Sequence, residues 1–356
     1  SLVPSTRGLG VACAIGVVIA AAFALVLLPA VLVLFGRWVF WPRVPQVGDP
    51  TLVEAERSLW HRIGQRVAAR PGIFIFVTVL LLLAMSSGVT QIKSGLSQAD
   101  QFLKPPEAIT AAKRLAKSFP EGTASPTVVV TRTADAAAVI GAVEKVPDVV
   151  SAHVSGNDAG FAQIQVVLDV APGSPMARSS IVELRSALAG RPQTWVGGKE
   201  AEAVDEAAAA SRDRQVIMPL ILVMVLIGLV LLLRSLVAPV ILVATVVATF
   251  LAALGASWML FTQVLGFERL DSGVPLLAFL FLVALGVDYN IFLVSRAVEE
   301  SPGRGPEAGM LRALTATGGV ITSAGILLAA VFAVLGVLPL VVLAQLGIVI
   351  CIGVLL

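Results

Sequence analysis

Charge is what this sequence has least of. Only 13% of its 356 residues are Asp, Glu, Lys or Arg, against about 25% in an ordinary soluble domain, and that scarcity excludes a soluble globular protein. Reactive side chains are scarce too: the chain has two Cys, two His and one Tyr. Cys13 and Cys351 both fall in long apolar runs, which excludes a disulfide framework and a thiol-zinc site. His61 and His153 are too few for a histidine-based metal centre. No G-x-S-x-G elbow occurs, and Gly197-Gly198-Lys199-Glu200 lacks the upstream glycine and following Ser or Thr of a phosphate loop. The chain is therefore not expected to be an enzyme, no catalytic residue, metal or other cofactor is assigned, and a net charge of +2 points to no nucleic acid. An ion gradient remains as the energy source.

What is present is apolar sequence, 57% of the chain, in runs long enough to cross a bilayer as helices. Seven spans are predicted, at 8–35, 71–89, 216–233, 236–261, 274–295, 313–338 and 340–356, the last two separated by a turn at Gly336 and Pro339. Of the 48 charged residues, 27 lie between Gln91 and Gln215. Six Arg in 36–70, Arg234, and three Arg in 296–312 put these short loops on the cytoplasmic side, and alternation then places 91–215 outside. The first run is too long for a cleavable signal, and a chain that begins without Met and stops inside an apolar run is expected to be a fragment of a longer protein.

Five parts follow: a span at 1–35, a cytoplasmic linker at 36–70, a span at 71–90, an extracytoplasmic domain at 91–215 and a five-span block at 216–356. In the linker, Trp38, Phe40 and Trp41 suit the headgroup layer. Leu52, Ala55, Leu59, Trp60, Ile63 and Val67 recur at helical spacing, which fits either a helix on the inner leaflet or one packed on neighbouring spans. In the outer domain a helix near 107–118 precedes strands at 126–131, 149–154, 162–168 and 193–196 and helices at 134–145 and 176–189. That β-α-β-β-α-β order predicts a two-layer α+β domain of split βαβ, ferredoxin-like type. A charged helix at 200–214 then runs straight into the third span, a connection that can carry movement. One lone span, a large outer domain and a block of five read as half of a two-half transporter.

Asp288 is the only carboxylate inside any predicted span. It lies roughly 12 Å from Arg296 along the helix, near the middle of a core about 30 Å thick. Holding a charge there costs about 2.5–3.5 kcal/mol on insertion scales, so such acids mark function by default. Tyr289, the one tyrosine, is its neighbour. Adjacent helical residues point about 100° apart, so each needs partners on other helices. The Asp288 face continues through Phe292 and Ser295 to Glu299, a partly polar route along which the carboxyl could load and release a proton. Thr315, Thr317, Gly318, Gly319, Thr322, Ser323 and Gly325 open the sixth span. Close helix packing is their leading role. The functional alternative makes Ser295, Thr315, Thr322, Ser323 and also Gln345 supports for the Asp288 path.

The run Leu285-Gly286-Val287-Asp288-Tyr289-Asn290-Ile291-Phe292-Leu293-Val294-Ser295-Arg296, followed by Glu299-Glu300, resembles the signature of the MMPL family of the RND superfamily. Supporting matches are Leu232-Leu233-Arg234-Ser235-Leu236-Val237-Ala238-Pro239, Thr322-Ser323-Ala324-Gly325, and Leu28-Pro29-Ala30 with Gly36-Arg37 and Phe40-Trp41-Pro42. The resemblance implies an RND-type, twelve-span polytopic transporter of a bacterial inner membrane. This chain would supply its later spans and second porter domain, with Asp288 and Tyr289 as one of two proton-relay pairs. The implied partners are protons, the bilayer, a lipid or other hydrophobic substrate and the N-terminal half of the same transporter, with self-association open. The expected function is export driven by the proton-motive force. Rival readings are a non-transporting scaffold or lipid sensor, in which Asp288 is structural, and an accessory of protein secretion.

Overall fold

The computed structural model describes residues 4–42, 59–96, 99–104 and 106–356. Helix α1 (Pro4–Ala22) widens into a π turn at Phe23–Leu27 before α2 (Leu28–Phe35). Pro29 has no N–H to return to the preceding turn, and Leu28 N instead reaches back five residues to Phe23 O. Helix α3 (Leu59–Ala69) and α4 (Pro71–Ser86) follow, and then α5 (Glu107–Leu115) leads into the sheet domain. Pro71 opens α4 where its missing donor costs nothing, as do prolines in the first turns of three later helices.

Strands β1 (Thr127–Arg132), β2 (Val149–Asp158), β3 (Phe161–Leu168) and β4 (Trp195–Gly197) form one antiparallel sheet in the order β2-β3-β1-β4. Helix α6 (Ala136–Val143) joins β1 to β2, and α7 (Pro175–Leu188) joins β3 to β4, so the β-α-β-β-α-β order is present. Alternation in β3 sends Ala162, Ile164, Val166 and Leu168 inward. There they meet Val139 and Val143 of α6 and Ile181 and Leu184 of α7 in one core. Ser174 caps α7 by accepting from Ala177 N at 3.0 Å. Gly198 turns the chain from β4 into the next helix at φ 99°, with Pro126 O only 3.3 Å from where a Cβ would lie.

Helix α8 (Lys199–Leu233) is unbroken from the sheet domain through the third expected span. The remaining helices are α9 (Val237–Leu260), α10 (Val274–Glu300), α11 (Pro306–Leu335) and α12 (Val341–Leu355). Six helices among the described residues are long and apolar enough to cross a membrane. The seventh expected span corresponds to α12, an apolar helix of 15 residues. Leu340, which the expectation counted in that span, is extended and bridges Phe102 instead. Helix α10 outruns its expected end at Ser295 because Arg296 pairs with Glu299 at 3.0 Å and Glu300 at 2.7 Å, adding a last turn.

Glycines bring the helices together. A Cβ on Gly88 would run into Gly255 O of α9, and one on Gly255 into Met85 O of α4. Phe250 and Phe279 meet edge-on at 5.1 Å in the centre of the bundle. By contrast, every side chain along 10–35 is exposed except that of Val31, which is half-buried. The described helices of this chain therefore leave residues 10–35 almost bare.

Arg185 of α7 holds Asp205 of α8 through two hydrogen bonds, at 2.5 and 2.8 Å. The guanidinium keeps the Asp205 carboxyl below the usual carboxylate range, chiefly by hydrogen bonding. A depressed folded-state pKa gives stability that is present above about pH 4 and is lost as pH falls through the lowered value. Because the pair is solvated, the effect is small. Thermal unfolding of wild type and Asp205→Asn should therefore differ slightly at pH 7, with the gap narrowing as pH falls below about 4; a gap that stayed constant into acid would refute this linkage.

Candidate functional site

Asp288 and Tyr289 sit side by side on α10 and face different surroundings, as their angular offset requires. Tyr289 and Asn290 line a cavity of about 370 Å³ between α9, α10, α11 and α12, together with Thr245, Thr249 and Thr322. Gly286 lets α9 in, with Val246 Cγ2 3.2 Å from a Cβ built there. Asp288 is exposed and shares its face with Phe281, Ala284 and Phe292, also exposed. Among the described residues neither Asp288 nor Tyr289 forms a hydrogen bond or ion pair. Such an arrangement holds one acid on a surface that no described residue of this chain covers, beside a hydroxyl that opens into a pocket.

The expected supporting residues separate. Thr322 joins Tyr289 at the cavity wall. Ser295 Oγ donates to Phe292 O at 3.3 Å and Ser323 Oγ to Val320 O at 3.0 Å, so both hydroxyls turn back onto their own helices. Thr315 Oγ1 donates to Leu311 O at 2.7 Å and lies 3.4 Å from His61 Nδ1, in a contact with α3. Gln345 is fully buried, but its amide serves the backbone of the α9–α10 connection: Oε1 accepts from Asp271 N at 2.9 Å and Nε2 donates to Arg269 O at 2.8 Å. As the one carboxamide in the final 44 residues it is conspicuous in the sequence. Nothing in the sequence says that its partners lie more than 70 residues away.

A second cavity, about 440 Å³, lies where the sheet domain meets the helices and is lined by Glu200, Glu202, Glu206, Asp213 and Asp271 with Arg178 and Lys199. Glu200 is 7% exposed and accepts from Gly173 N at 2.9 Å. Arg178 donates to Gly95 O at 3.1 Å and Gly173 O at 3.4 Å. Sequence reasoning missed this chamber because its walls come from four separate stretches of chain. Among the described residues no group of three His, Cys, Asp or Glu is placed to hold a metal ion.

The MMPL family model matches residues 1–74 and 102–356. The membrane protein ActII-3 of Streptomyces coelicolor is 45% identical over 355 residues, covering 99% of this chain and 50% of that protein. The apo-petrobactin exporter of Bacillus anthracis is 34% identical over 359 residues, 94% of this chain and 48% of its own length. The sulfolipid-1 exporter MmpL8 of Mycobacterium tuberculosis is 36% identical over 181 residues, 47% of this chain and 16% of that protein. The chain thus spans about half the length of the first two relatives.

Of the two placements open for the linker helix, the structure shows packing on a span, although Leu52 and Ala55 lie outside the described residues. Trp60, His61, Gly64 and Val67 are the less exposed positions of α3. A Cβ on Gly318 of α11 would come within 2.8 Å of the Trp60 ring, whereas one on Gly319 would reach ordinary contact at 3.6 Å. Gly318→Ala should therefore destabilise the α3–α11 contact by about 1–3 kcal/mol, while Gly319→Ala should be near neutral. Tryptic cleavage at Arg62 and Arg66 reads this out, and equal protection in both variants would contradict it.

Proposed function

This chain belongs to the MMPL family, and from that premise we propose that it is the second half of a proton-driven transporter that exports a lipid or other hydrophobic compound. It is a multi-pass membrane protein with relatives named as exporters. The observation that carries the proposal is Asp288, a mid-span carboxyl on a face that no described helix of this chain covers. An acid in hydrocarbon is costly unless a partner or an aqueous path meets it. A second set of helices, supplied by the N-terminal half of the same transporter, would cover that face and also the bare α1–α2 helix. Between them Asp288 takes a proton from outside and releases it to the cytoplasm as access alternates, and Tyr289 relays it beside the Thr322 cavity. Ser295, Thr315 and Ser323 give no support to this route, because their hydroxyls are turned elsewhere.

On this reading the parts at 1–35, 36–70, 71–90, 91–215 and 216–356 are a span, a cytoplasmic linker, a span, a porter domain and the main helix block of a bacterial inner-membrane protein. Two features support the orientation. Arg234, the Arg296–Glu300–Arg312 ion network and α3 gather at one end of the bundle, as cytoplasmic loops do. Segments next to the sheet domain bond the opposite end, Gly95 N to Leu270 O at 2.8 Å and Leu103 N to Pro339 O at 3.1 Å. The β2-β3-β1-β4 order supports a ferredoxin-like porter.

Asp288→Asn keeps the shape and loses the titrating proton. In vesicles carrying the complete transporter at matched expression, gradient-dependent export should fall to background in this variant. Undiminished export would overturn the proposal and favour a scaffold or lipid sensor in which Asp288 is structural.

A further inference from the structure

Gln345 is 0% exposed on α12, a helix otherwise almost wholly apolar. A buried carboxamide has to find partners for its donor and acceptor or cost the fold heavily. Both of its bonds go to residues 269 and 271, at 2.8 and 2.9 Å. In an extended segment, alternate residues offer their backbone groups to the same edge, so the amide acts as a one-residue strand along that edge. The other edge belongs to residue 270: Leu270 N donates to Lys93 O and Gly95 N donates to Leu270 O, both at 2.8 Å. The segment is thus held between α12 and the chain that leaves α4 for the sheet domain. Arg214 of α8 closes a third side by donating to Ser272 O at 2.8 Å, and Asp271 Oδ1 accepts from Gly273 N at 2.8 Å where α10 begins. Leu270 and Val274 are 1% and 0% exposed, so the joint is packed as well as bonded.

Two connections between the helix block and the sheet domain, residues 93–95 and α8, therefore converge with α12 on the five residues that lead into α10. From there α10 runs about 21 Å to Asp288 as a single rigid helix. We propose that residues 269–273 are the joint that passes movement of α10 to the sheet domain, and that Gln345 is the positioning residue that sets its register. This rests on the reading of Asp288 as the proton carrier. A clamp with two bonds on one edge and two on the other resists sliding, so a shift of α10 has to carry residues 93–95 and α8 with it.

The test uses the complete transporter in vesicles, with proton uptake and export measured together per folded protein. Gln345→Met keeps the volume and removes both bonds. It should retain Asp288-dependent proton uptake while export per proton falls about tenfold or more, within the usual range of coupling between sites. Gln345→Glu keeps an acceptor for Asp271 N but has a donor for Arg269 O only when protonated. At a constant pH gradient, its export per proton should be low at pH 8 and recover toward wild type as both sides are acidified to about pH 5.5. The charged groups on the segments packed here, Lys93, Asp213, Arg214, Arg269 and Asp271, are the same in variant and wild type. Wild-type coupling in Gln345→Met, or a Gln345→Glu profile parallel to wild type at all pH values, overturns the proposal. If the proton reading itself were wrong, Asp288→Asn would export normally; if only the joint were wrong, Asp288→Asn would be inactive while both Gln345 variants stayed coupled.

Discussion

Hydrocarbon offers a peptide group no water to bond, and most of this architecture follows from that. Apolar runs close their backbone bonds within helices, and irregular backbone is confined to the bundle ends or to protein-lined positions. Where a bond within the helix is lost, the chain repairs it locally: the π turn before Pro29 gives Leu28 a partner five residues back. Where side chains bring polarity into the bundle, they are tied down. Thr315 and Ser323 return to their own helices, and Gln345 meets two backbone groups at once. Asp288 and Tyr289 are exceptions, without a hydrogen bond or ion pair among the described residues, and an acid that escapes so strict a constraint is where function is to be sought.

Between helices there is little hydrophobic gain to be had in lipid, so close approach and specific contacts do the holding. Gly88 and Gly255 bring α4 against α9, and Gly318 receives the Trp60 ring of α3. Ionic contacts occur where water returns, in the Arg296–Glu300–Arg312 network and in the Arg185–Asp205 pair of the sheet domain. Strand-like bonds occur at the other end, around residues 269–273, where the loop is fixed on both edges. The bundle thus has a charged end and a clamped end. Helix α8 extends past the clamped one into the sheet domain without a break.

Much of this was legible in residue order. Hydropathy located six of the spanning helices, because length and apolarity alone decide whether a segment can lie in lipid. Alternation located the strands to within a few residues, since Ile164 and Val166 must face a core that Gln163 and Gln165 avoid. The last apolar helix begins at Val341, one residue later than expected, and hydropathy could not see that Leu340 would be drawn into a bridge with Phe102. Asp288 and Tyr289 stood out as the only acid in a span and the only tyrosine. That one faces outward and the other a cavity depends on which helices flank α10.

Order along the chain, then, determined which segments enter the membrane, where the sheet strands run and which acid must be explained. These properties follow from local composition and period. Tertiary structure alone decided that Thr322 shares a wall with Tyr289, that Trp60 reaches Gly318, and that Gln345 grips a loop more than 70 residues away. Such contacts join segments distant in sequence, and helical period says only which face a residue takes, never which neighbour will cover it.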